Sequence, residues 1–102
     1  MIHVIATIEV RPSRRKDLLD AFNKNVPNVL AEAGCIEYGP AVDVDSGLMM
    51  QSPLRENVVV ILEKWESLAA LKAHTKAPHM ATYREAVKDF VVRVELQVLE
   101  PA

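Results

Sequence analysis

The run VVVIL, residues 58–62, is the stretch of the chain that decides its fold. All of its side chains are aliphatic, and neither glycine nor proline interrupts them, which is typical of a buried strand. Successive side chains of a strand point to opposite faces, so Val59 and Ile61 share one face. The other face carries Val58, Val60 and Leu62. Because both faces are apolar, we predict that this strand is the central one of a sheet and needs cover on both sides.

Three further segments have strand patterns. Apolar residues occupy alternate positions over residues 2–10 and again over residues 91–99, which predicts two half-buried strands. Residues 35–44 also resemble a strand, but Gly39 and Pro40 interrupt it, which predicts a bulge or a sheet edge.

Apolar residues at three- and four-residue spacing predict two helical segments. The first follows Ser13, a suitable N-terminal cap, and ends at Gly34, a residue type that commonly terminates helices. Pro27 lies inside this segment and is expected to kink or divide it. The second begins near residue 66, is broken before Pro78 and resumes to about residue 89.

The order strand, helix, strand, strand, helix, strand predicts one α+β domain over residues 1–102. Its architecture is a ferredoxin-like sandwich, an antiparallel βαββαβ sheet with the helices on one face. The other face stays apolar at Val58, Val60 and Leu62 and has no element of the chain to cover it. We therefore expect a homodimer that packs sheet face on sheet face, a dimeric α+β barrel.

The composition is globular, with 50% hydrophobic and 25% charged residues, and it argues against several protein classes. The net charge is −2 and no aromatic residue accompanies the one basic cluster, so we expect no nucleic-acid partner. Cys35 is the sole cysteine, which fits a reducing compartment. No apolar run approaches the roughly 18 residues of a membrane span, and the first residues lack the basic flank of a signal peptide. We expect a cytoplasmic protein without a membrane partner.

Glu63 and Trp65 share the face of Val59 and Ile61 at the end of the central strand. Trp65 either plugs the end of the core or forms a pocket wall against which a planar ligand stacks. An enclosed Glu63 would have its pKa raised by desolvation, which suits an acid or base. The alternative for Glu63 is an ion pair with a lysine or arginine.

Two histidines lie around the break in the second helical segment. His74 shares the face of the apolar residues Leu68 and Leu71, and His79 follows Pro78 in the first turn of the resumed helix. Both could point into one cavity, or His74 could be a core residue with a satisfied side chain. Tyr38 and Tyr83 add hydroxyls and Arg84 adds a cation. No zinc-site spacing, serine–histidine–acid set or phosphate loop is present.

The motifs GCIEYGPAVD, EKWES, LKAHTKAPHM, ATYREAV and VLEP resemble the antibiotic biosynthesis monooxygenase (ABM) family. They are most similar to its small bacterial quinol monooxygenases, and the similarity extends over essentially the whole chain. The resemblance implies the same dimeric ferredoxin-like fold. It also implies oxygenation of quinols or related aromatic diols by O2 without metal, haem or flavin, so we expect no cofactor.

The resemblance also indicates site residues. It implies that Trp65 and Arg84 match a cavity tryptophan and an arginine of polyketide-modifying members. Those members carry an asparagine where this chain has Ile61 and a histidine where it has Gly39. The haem-degrading branch carries a tryptophan where this chain has His74, so the resemblance argues against haem degradation.

Two groups of site residues follow. The candidate catalytic residues are His74, His79, Trp65 and Arg84. The candidate substrate-binding residues are Trp65, Ile61, Glu63, Tyr38 and Tyr83. The two histidines also match a branch that isomerises a small phosphorylated diketone sugar signal by base-assisted enolisation, and a non-catalytic ligand-binding stress-response dimer is the third alternative. Apolar walls such as Ile61 favour a flat aromatic ligand, since a phosphosugar would need more cationic lining than Arg84 alone.

Overall fold

The computed structural model describes residues 1–102 as four strands and three helices in one α+β unit. The elements in chain order are β1 (Ile2–Val10), α1 (Arg15–Leu30), β2 (Cys35–Ala41), β3 (Val58–Trp65), α2 (Leu68–Thr75), α3 (Pro78–Val87) and β4 (Val91–Leu99). The sheet order is β2-β3-β1-β4 and every neighbouring pair is antiparallel. The predicted ferredoxin-like βαββαβ arrangement is therefore confirmed, with the second helical segment divided into α2 and α3.

The central strands alternate between a buried and an exposed face, as their period of two predicts. Val59 and Ile61 are buried on the side of the helices and lie opposite Ile8 and Ala6 of β1. Leu62 on the other face is 43% exposed. The core thus lies between one face of the sheet and the three helices, and burial of these aliphatic side chains is the main term that stabilises the fold.

Helix α1 differs from its predicted form at both ends. It begins at Arg15, and Ser13 adopts a left-handed backbone with φ of 69° instead of capping the helix. At the other end α1 stops at Leu30, before the predicted end at Gly34, and Pro27 does not divide it. A proline removes only one backbone donor, and the buried Val29 holds the last turn against the core.

The turn after α1 packs closely against α2. Gly34 has a φ of 83°, and a Cβ built on it would lie 2.6 Å from the Cβ of Ala70 in α2. The amide of Glu66 also donates a hydrogen bond to the Gly34 carbonyl, at 2.8 Å. Glycine is required here because it tolerates the left-handed backbone and has no side chain to collide with Ala70. The close contact also fixes the position of the turn relative to α2.

The predicted break between α2 and α3 is confirmed and has identifiable causes. The Ser67 hydroxyl accepts a hydrogen bond from the amide of Ala70, which caps α2 at its N-terminus. Pro78 occupies the first turn of α3, where its missing N–H costs nothing. β2 is an edge strand, one of the two alternatives predicted from Gly39 and Pro40. Both of these residues pair in register with β3, and the register shift lies instead between Cys35 and Glu37.

Two apolar surfaces are left uncovered by the helices. On the outer face of the sheet the central strands expose a stripe of aliphatic side chains, and on the inner face β4 lies beyond the helices with Leu96 59% exposed.

The segment between β2 and β3 has no regular structure and is closed by a bidentate Arg55–Asp43 pair, which lowers the pKa of Asp43 to about 2. No helix is both long enough and apolar enough to cross a membrane.

The contact between Gly34 and Ala70 predicts a stability difference between two glycine variants. Gly34→Ala is expected to lower the free energy of unfolding by at least about 2 kcal/mol, since left-handed backbone costs an alanine about 1–2 kcal/mol and overpacking adds about 1–3 kcal/mol. Gly47→Ala is the matched control, because Gly47 has a φ of 74° but nothing within 4 Å of its added Cβ. Urea unfolding of both variants measures the difference, and equal losses would contradict the packing argument.

Candidate active site

A cavity of about 610 Å³ lies between the inner face of the sheet and the helices. Thirteen of its nineteen lining residues are hydrophobic, including Ile61 from the sheet and Phe22 from α1. The six others are Glu63, Lys72, His74, Thr75, Arg84 and Lys88. This volume lies within the usual range for small-molecule sites, about 300–1,000 Å³, and a mostly apolar lining with few polar groups is typical of them.

His74 is the most closely held polar side chain of this cavity. Helix α2 places it on the core side, where it is 4% exposed. Its ring lies between the Trp65 indole, at 4.7 Å between centroids, and the Tyr38 phenol, at 5.3 Å. The Nδ1 atom lies 2.9 Å from a carboxylate oxygen of Glu32. His74 is therefore neither exposed nor an unpartnered core residue: it is a cavity-lining imidazole fixed on three sides.

Glu63 also faces the cavity, and its partner is an indole and not a cation. The Nε1–H of Trp65 donates to Glu63 Oε1 at 2.9 Å, and Glu63 is 7% exposed. Burial raises the pKa of Glu63 above its ordinary value, and the Trp65 hydrogen bond and the nearby His74 oppose that shift only in part. The alternative of an ion pair with lysine or arginine is wrong, because no basic side chain forms a salt bridge with Glu63.

Trp65 lies behind the cavity wall. Its side chain is fully buried and does not line the cavity, so it contacts a bound ligand only through the groups it supports. Those groups are Glu63, which accepts its N–H, and His74, which packs on its ring.

His79 does not enter the same cavity as His74. It lines a separate groove of about 580 Å³ between α1 and α3, together with Asp17, Asp20 and Asn28. Its Nε2 lies 3.0 Å from the Glu32 oxygen that also contacts His74, but the ring is not oriented for a hydrogen bond, and both ring nitrogens are sealed from solvent without a partner. The structure thus brings the two histidines to one carboxylate and not to one cavity.

The remaining predicted residues lie around the cavity. Tyr38 stacks on the Phe22 ring and Tyr83 packs edge-on against it. Burial raises the pKa of both phenols, that of Tyr83 to about 12. Both hydroxyls therefore stay protonated at neutral pH and can donate hydrogen bonds. Arg84 donates to the backbone oxygen of Thr75 at 2.8 Å, which fastens α3 to the end of α2.

The rim carries two cations that sequence reasoning did not assign, Lys72 and Lys88, in addition to Arg84. The expectation of Arg84 as the sole cation is therefore wrong. Lys88 follows Arg84 by four residues, a spacing that places two side chains on one helix face, so the sequence carried a signal for it. Lys72 lies two residues before His74 and had no such signal. Glu32 was also missed, and no local pattern marks a contact 42 residues away. No group of three or more His, Cys, Asp or Glu side chains is arranged to hold a metal ion.

The chain matches one protein-family model, described as antibiotic biosynthesis monooxygenase, over residues 1–86. The chain belongs to this family. It is 46% identical to the Escherichia coli K12 protein named "Probable quinol monooxygenase YgiN", over 99% of this chain and 98% of that protein. The family and the name of this relative support a monooxygenase, an oxidoreductase.

Solved structures of similar proteins support the ABM fold. The structure of Rv0793 from Mycobacterium tuberculosis has a TM-score of 0.79 at 28% identity, covering 99% of this chain and 94% of that one. The crystal structure of PA3566 from Pseudomonas aeruginosa has a TM-score of 0.80 at 23% identity, covering 99% and 93%, and shows likeness of fold alone.

The raised pKa of Glu63 predicts how the stability of this ABM domain depends on pH. At pH values between the ordinary carboxyl pKa of 4.5 and the raised value, the folded protein holds more protons than the unfolded chain. Stability therefore falls as pH rises through that window. Glu63→Gln keeps an acceptor for Trp65 and removes the charge. We expect this variant to melt at a higher temperature than wild type at neutral pH and at the same temperature below about pH 4.5.

Melting curves of both proteins from acidic to neutral pH measure this difference. A Glu63→Gln protein that is less stable at neutral pH, by a margin that grows as pH rises, would show that the Trp65 hydrogen bond outweighs burial.

Proposed function

We propose that the chain is a cofactor-independent monooxygenase that oxidises a quinol or a related electron-rich aromatic diol with O2. The observation that carries the proposal is the His74 imidazole, held by Glu32 in the wall of a largely apolar cavity. The 46% identity to a protein named as a probable quinol monooxygenase supports the same substrate class.

The proposed chemistry starts with proton transfer from a quinol hydroxyl to His74. The resulting quinolate is electron-rich enough to pass an electron to dioxygen, so the substrate does what a redox cofactor does in other oxygenases. One quinol and one O2 then give a hydroxyquinone and one water. A ring C–H becomes C–OH, the two quinol O–H hydrogens leave with the second oxygen atom, and the substrate supplies all four electrons.

Each candidate residue has a separate part in this proposal. His74 is the base, and the hydroxyls of Tyr38 and Tyr83 are donors for the oxygen atoms of the substrate. The aromatic ring of the substrate packs on Ile61 and its aliphatic neighbours. Trp65 supports His74 and Glu63 from behind, and Arg84 holds the rim. His79 has no contact with the substrate.

A second candidate function is favoured by the cations at the rim. Lys72, Arg84 and Lys88 could hold the phosphate of a small phosphorylated diketone while His74 assists its enolisation. The apolar lining supports the quinol better, because a phosphosugar offers little apolar surface to bury there. The two functions differ in one respect that is simple to measure, since isomerisation consumes no oxygen.

The test is oxygen consumption by protein dialysed against a chelator, with a panel of reduced quinones and isotopically labelled dioxygen. We expect uptake above the uncatalysed autoxidation rate and one labelled oxygen atom in the product. Unlabelled quinone with hydrogen peroxide would identify a simple oxidase, and dependence on added iron would contradict cofactor-independent chemistry. Turnover of a phosphorylated diketone without oxygen uptake would favour the isomerase. Binding of quinols with neither reaction would favour the ligand-binding alternative.

The role of His74 predicts a large loss of activity in one variant. His74→Gln keeps an amide near Glu32, so that the fold survives, but removes the base. Turnover is expected to fall by roughly 10²–10⁴-fold, the usual contribution of a general base. His79→Gln, the same change outside the cavity, is expected to cost less. A folded His74→Gln protein with full quinol turnover would reject His74 as the base.

The same proposal includes a homodimer that forms through the outer face of the sheet. An apolar stripe on this face consists of Ile5, Val58, Val60 and Leu62. Ion pairs border it, between Lys64 and Glu37 at 3.0 Å and from Arg93 to Glu9 and Glu95 at 3.6 and 3.7 Å. An exposed apolar patch with a polar border is typical of a protein interface, and a second copy presents the same complementary surface.

Val60→Asp tests this interface by placing a charge in the middle of the stripe. We expect monomer or aggregate in sedimentation velocity, because an unpaired charge buried between two copies is strongly unfavourable. Ser52→Asp, which adds the same charge on an exposed loop, is expected to behave like wild type. A well-folded Val60→Asp dimer would show that the interface lies elsewhere.

A further inference from the structure

We infer that Glu32 is the positioning residue of the site: it fixes the proton of His74 on Nδ1 and so directs the Nε2 lone pair into the cavity. The inference deepens the proposed function and rests on it for its catalytic consequence, but the tautomer itself can be measured without any substrate. Glu32 lies outside the nineteen residues that line the cavity, so it acts on the substrate only through His74.

Glu32 occupies a rigid part of the backbone. It lies in the short turn between α1 and β2, where its amide donates to the Val29 carbonyl at 2.9 Å and its carbonyl accepts from Cys35 at 3.2 Å. Two residues later, Gly34 is in contact with Ala70 of α2, the helix that carries His74. The turn and the helix are thus fixed to each other at one end, and the Glu32 side chain needs only to span the distance to the ring.

The contact between the two side chains determines the tautomer. A carboxylate only accepts hydrogen bonds, so the 2.9 Å contact with Nδ1 requires the proton on that nitrogen. In a neutral imidazole the other nitrogen is then the acceptor. Nε2 of His74 has no protein partner and is not sealed from solvent, in contrast to the ring nitrogens of His79. This is the form that a base in the cavity needs.

The ring cannot easily escape this geometry. Trp65 and Tyr38 pack on it and hold its plane. A 180° flip within that plane would place Cδ2 where Nδ1 now meets Glu32, and the hydrogen bond would be lost. Other titratable groups also face this region: Glu63 in the cavity and His79, whose Nε2 is 3.0 Å from the same Glu32 oxygen. Neither of them is hydrogen-bonded to the His74 ring, whereas Glu32 is.

A carboxylate behind the histidine also stabilises the imidazolium that forms when the quinol proton is transferred. The negative charge of Glu32 lies close to the ring while the side chain is only 17% exposed, so solvent screens the attraction weakly. Removal of Glu32 should therefore slow proton transfer and leave the apolar cavity, and so the binding of the substrate, largely unchanged.

The test combines histidine ring nitrogen NMR with kinetics on Glu32→Ala and Glu32→Gln. The chain has three histidines, and the His74→Gln variant assigns the His74 signals by difference. In wild type we expect the Nδ1–H form of His74. In Glu32→Ala the Nε2–H form should become populated, and in Glu32→Gln a mixture is expected, because an amide can accept or donate. Glu56→Ala removes a carboxylate from an exposed loop and is the matched control, with the wild-type tautomer.

The Glu32→Gln variant keeps the inference testable where Glu32→Ala is too unstable, since the amide has almost the same shape as the carboxylate. An Nε2–H form in wild type, or a wild-type tautomer in both Glu32 variants, would overturn the inference whatever the enzyme does.

Kinetics then measure the consequence for the reaction. In both Glu32 variants kcat for quinol oxidation should fall by roughly 10- to 10⁴-fold, the range found when the carboxylate behind a functional histidine is removed. KM should change little, and Glu56→Ala should retain wild-type kcat. A changed tautomer with unchanged kcat would support the positioning by Glu32 and reject His74 as the base, so the two failures remain distinguishable.

Discussion

The limited cover that three short helices provide for a four-stranded sheet is the constraint on which the rest of this molecule depends. The helices bury one face of β1 and β3, where Val59 and Ile61 lie, but they do not extend over β4. Val94, Leu96 and Val98 of β4 consequently remain about half exposed on the inner face, and they form one side of the cavity. The cavity and the bare outer face of the sheet both result from this incomplete cover by the helices. A small domain has too little chain to close both.

The polar groups in such a cavity need partners, since an unpaired polar group away from water costs about 1–3 kcal/mol. His74 has Glu32, and Glu63 has the N–H of Trp65. The first pair joins α2 to the turn after α1, and the second joins two residues on the same face of β3, so satisfying the polar groups also fixes their orientation. His79 is the exception, with two sealed ring nitrogens and no hydrogen bond. Its proximity to Glu32 makes that carboxylate the point where the cavity and the second groove are connected.

Local patterns predicted what depends on local physics. Alternation assigned the faces of β3, helical spacing placed His74 toward the core, and Pro78 marked where α3 begins. The wrong predictions concern positions where tertiary packing outweighs a local preference of the sequence. Ser13 has the chemistry of a cap but takes up a left-handed turn conformation, and Pro27 leaves α1 undivided because the buried residues around it hold the last turn.

The site could be predicted only in part, for a similar reason. The sequence pattern predicted that Glu63, Trp65 and His74 face the same region, because each lies on the inner face of its own element. It could not show that Trp65 is Glu63's partner or that Trp65 lies behind the wall, since both depend on side-chain orientation. The contact of Glu32 with His74 depends on the path of the turn after α1, which periodicity does not describe.

Two carboxylates lie near His74, and in the proposed reaction their environments would give them opposite effects on a substrate anion. Glu32 lies outside the cavity, where it accepts the hydrogen bond of His74 Nδ1 and would have no contact with the substrate. Glu63 stands inside, where an ionised form would oppose a quinolate, by roughly 4 kcal/mol for charges about 4 Å apart at an effective dielectric constant of about 20. Burial raises the pKa of Glu63 and so favours its neutral form. Because Oε1 accepts from Trp65, a protonated Glu63 would carry its proton on Oε2. In the proposed reaction that hydroxyl would be a donor for the quinolate. The tryptophan would thus determine which oxygen of Glu63 carries the donor, and in the proposed reaction the fully buried indole would act without contact with the substrate.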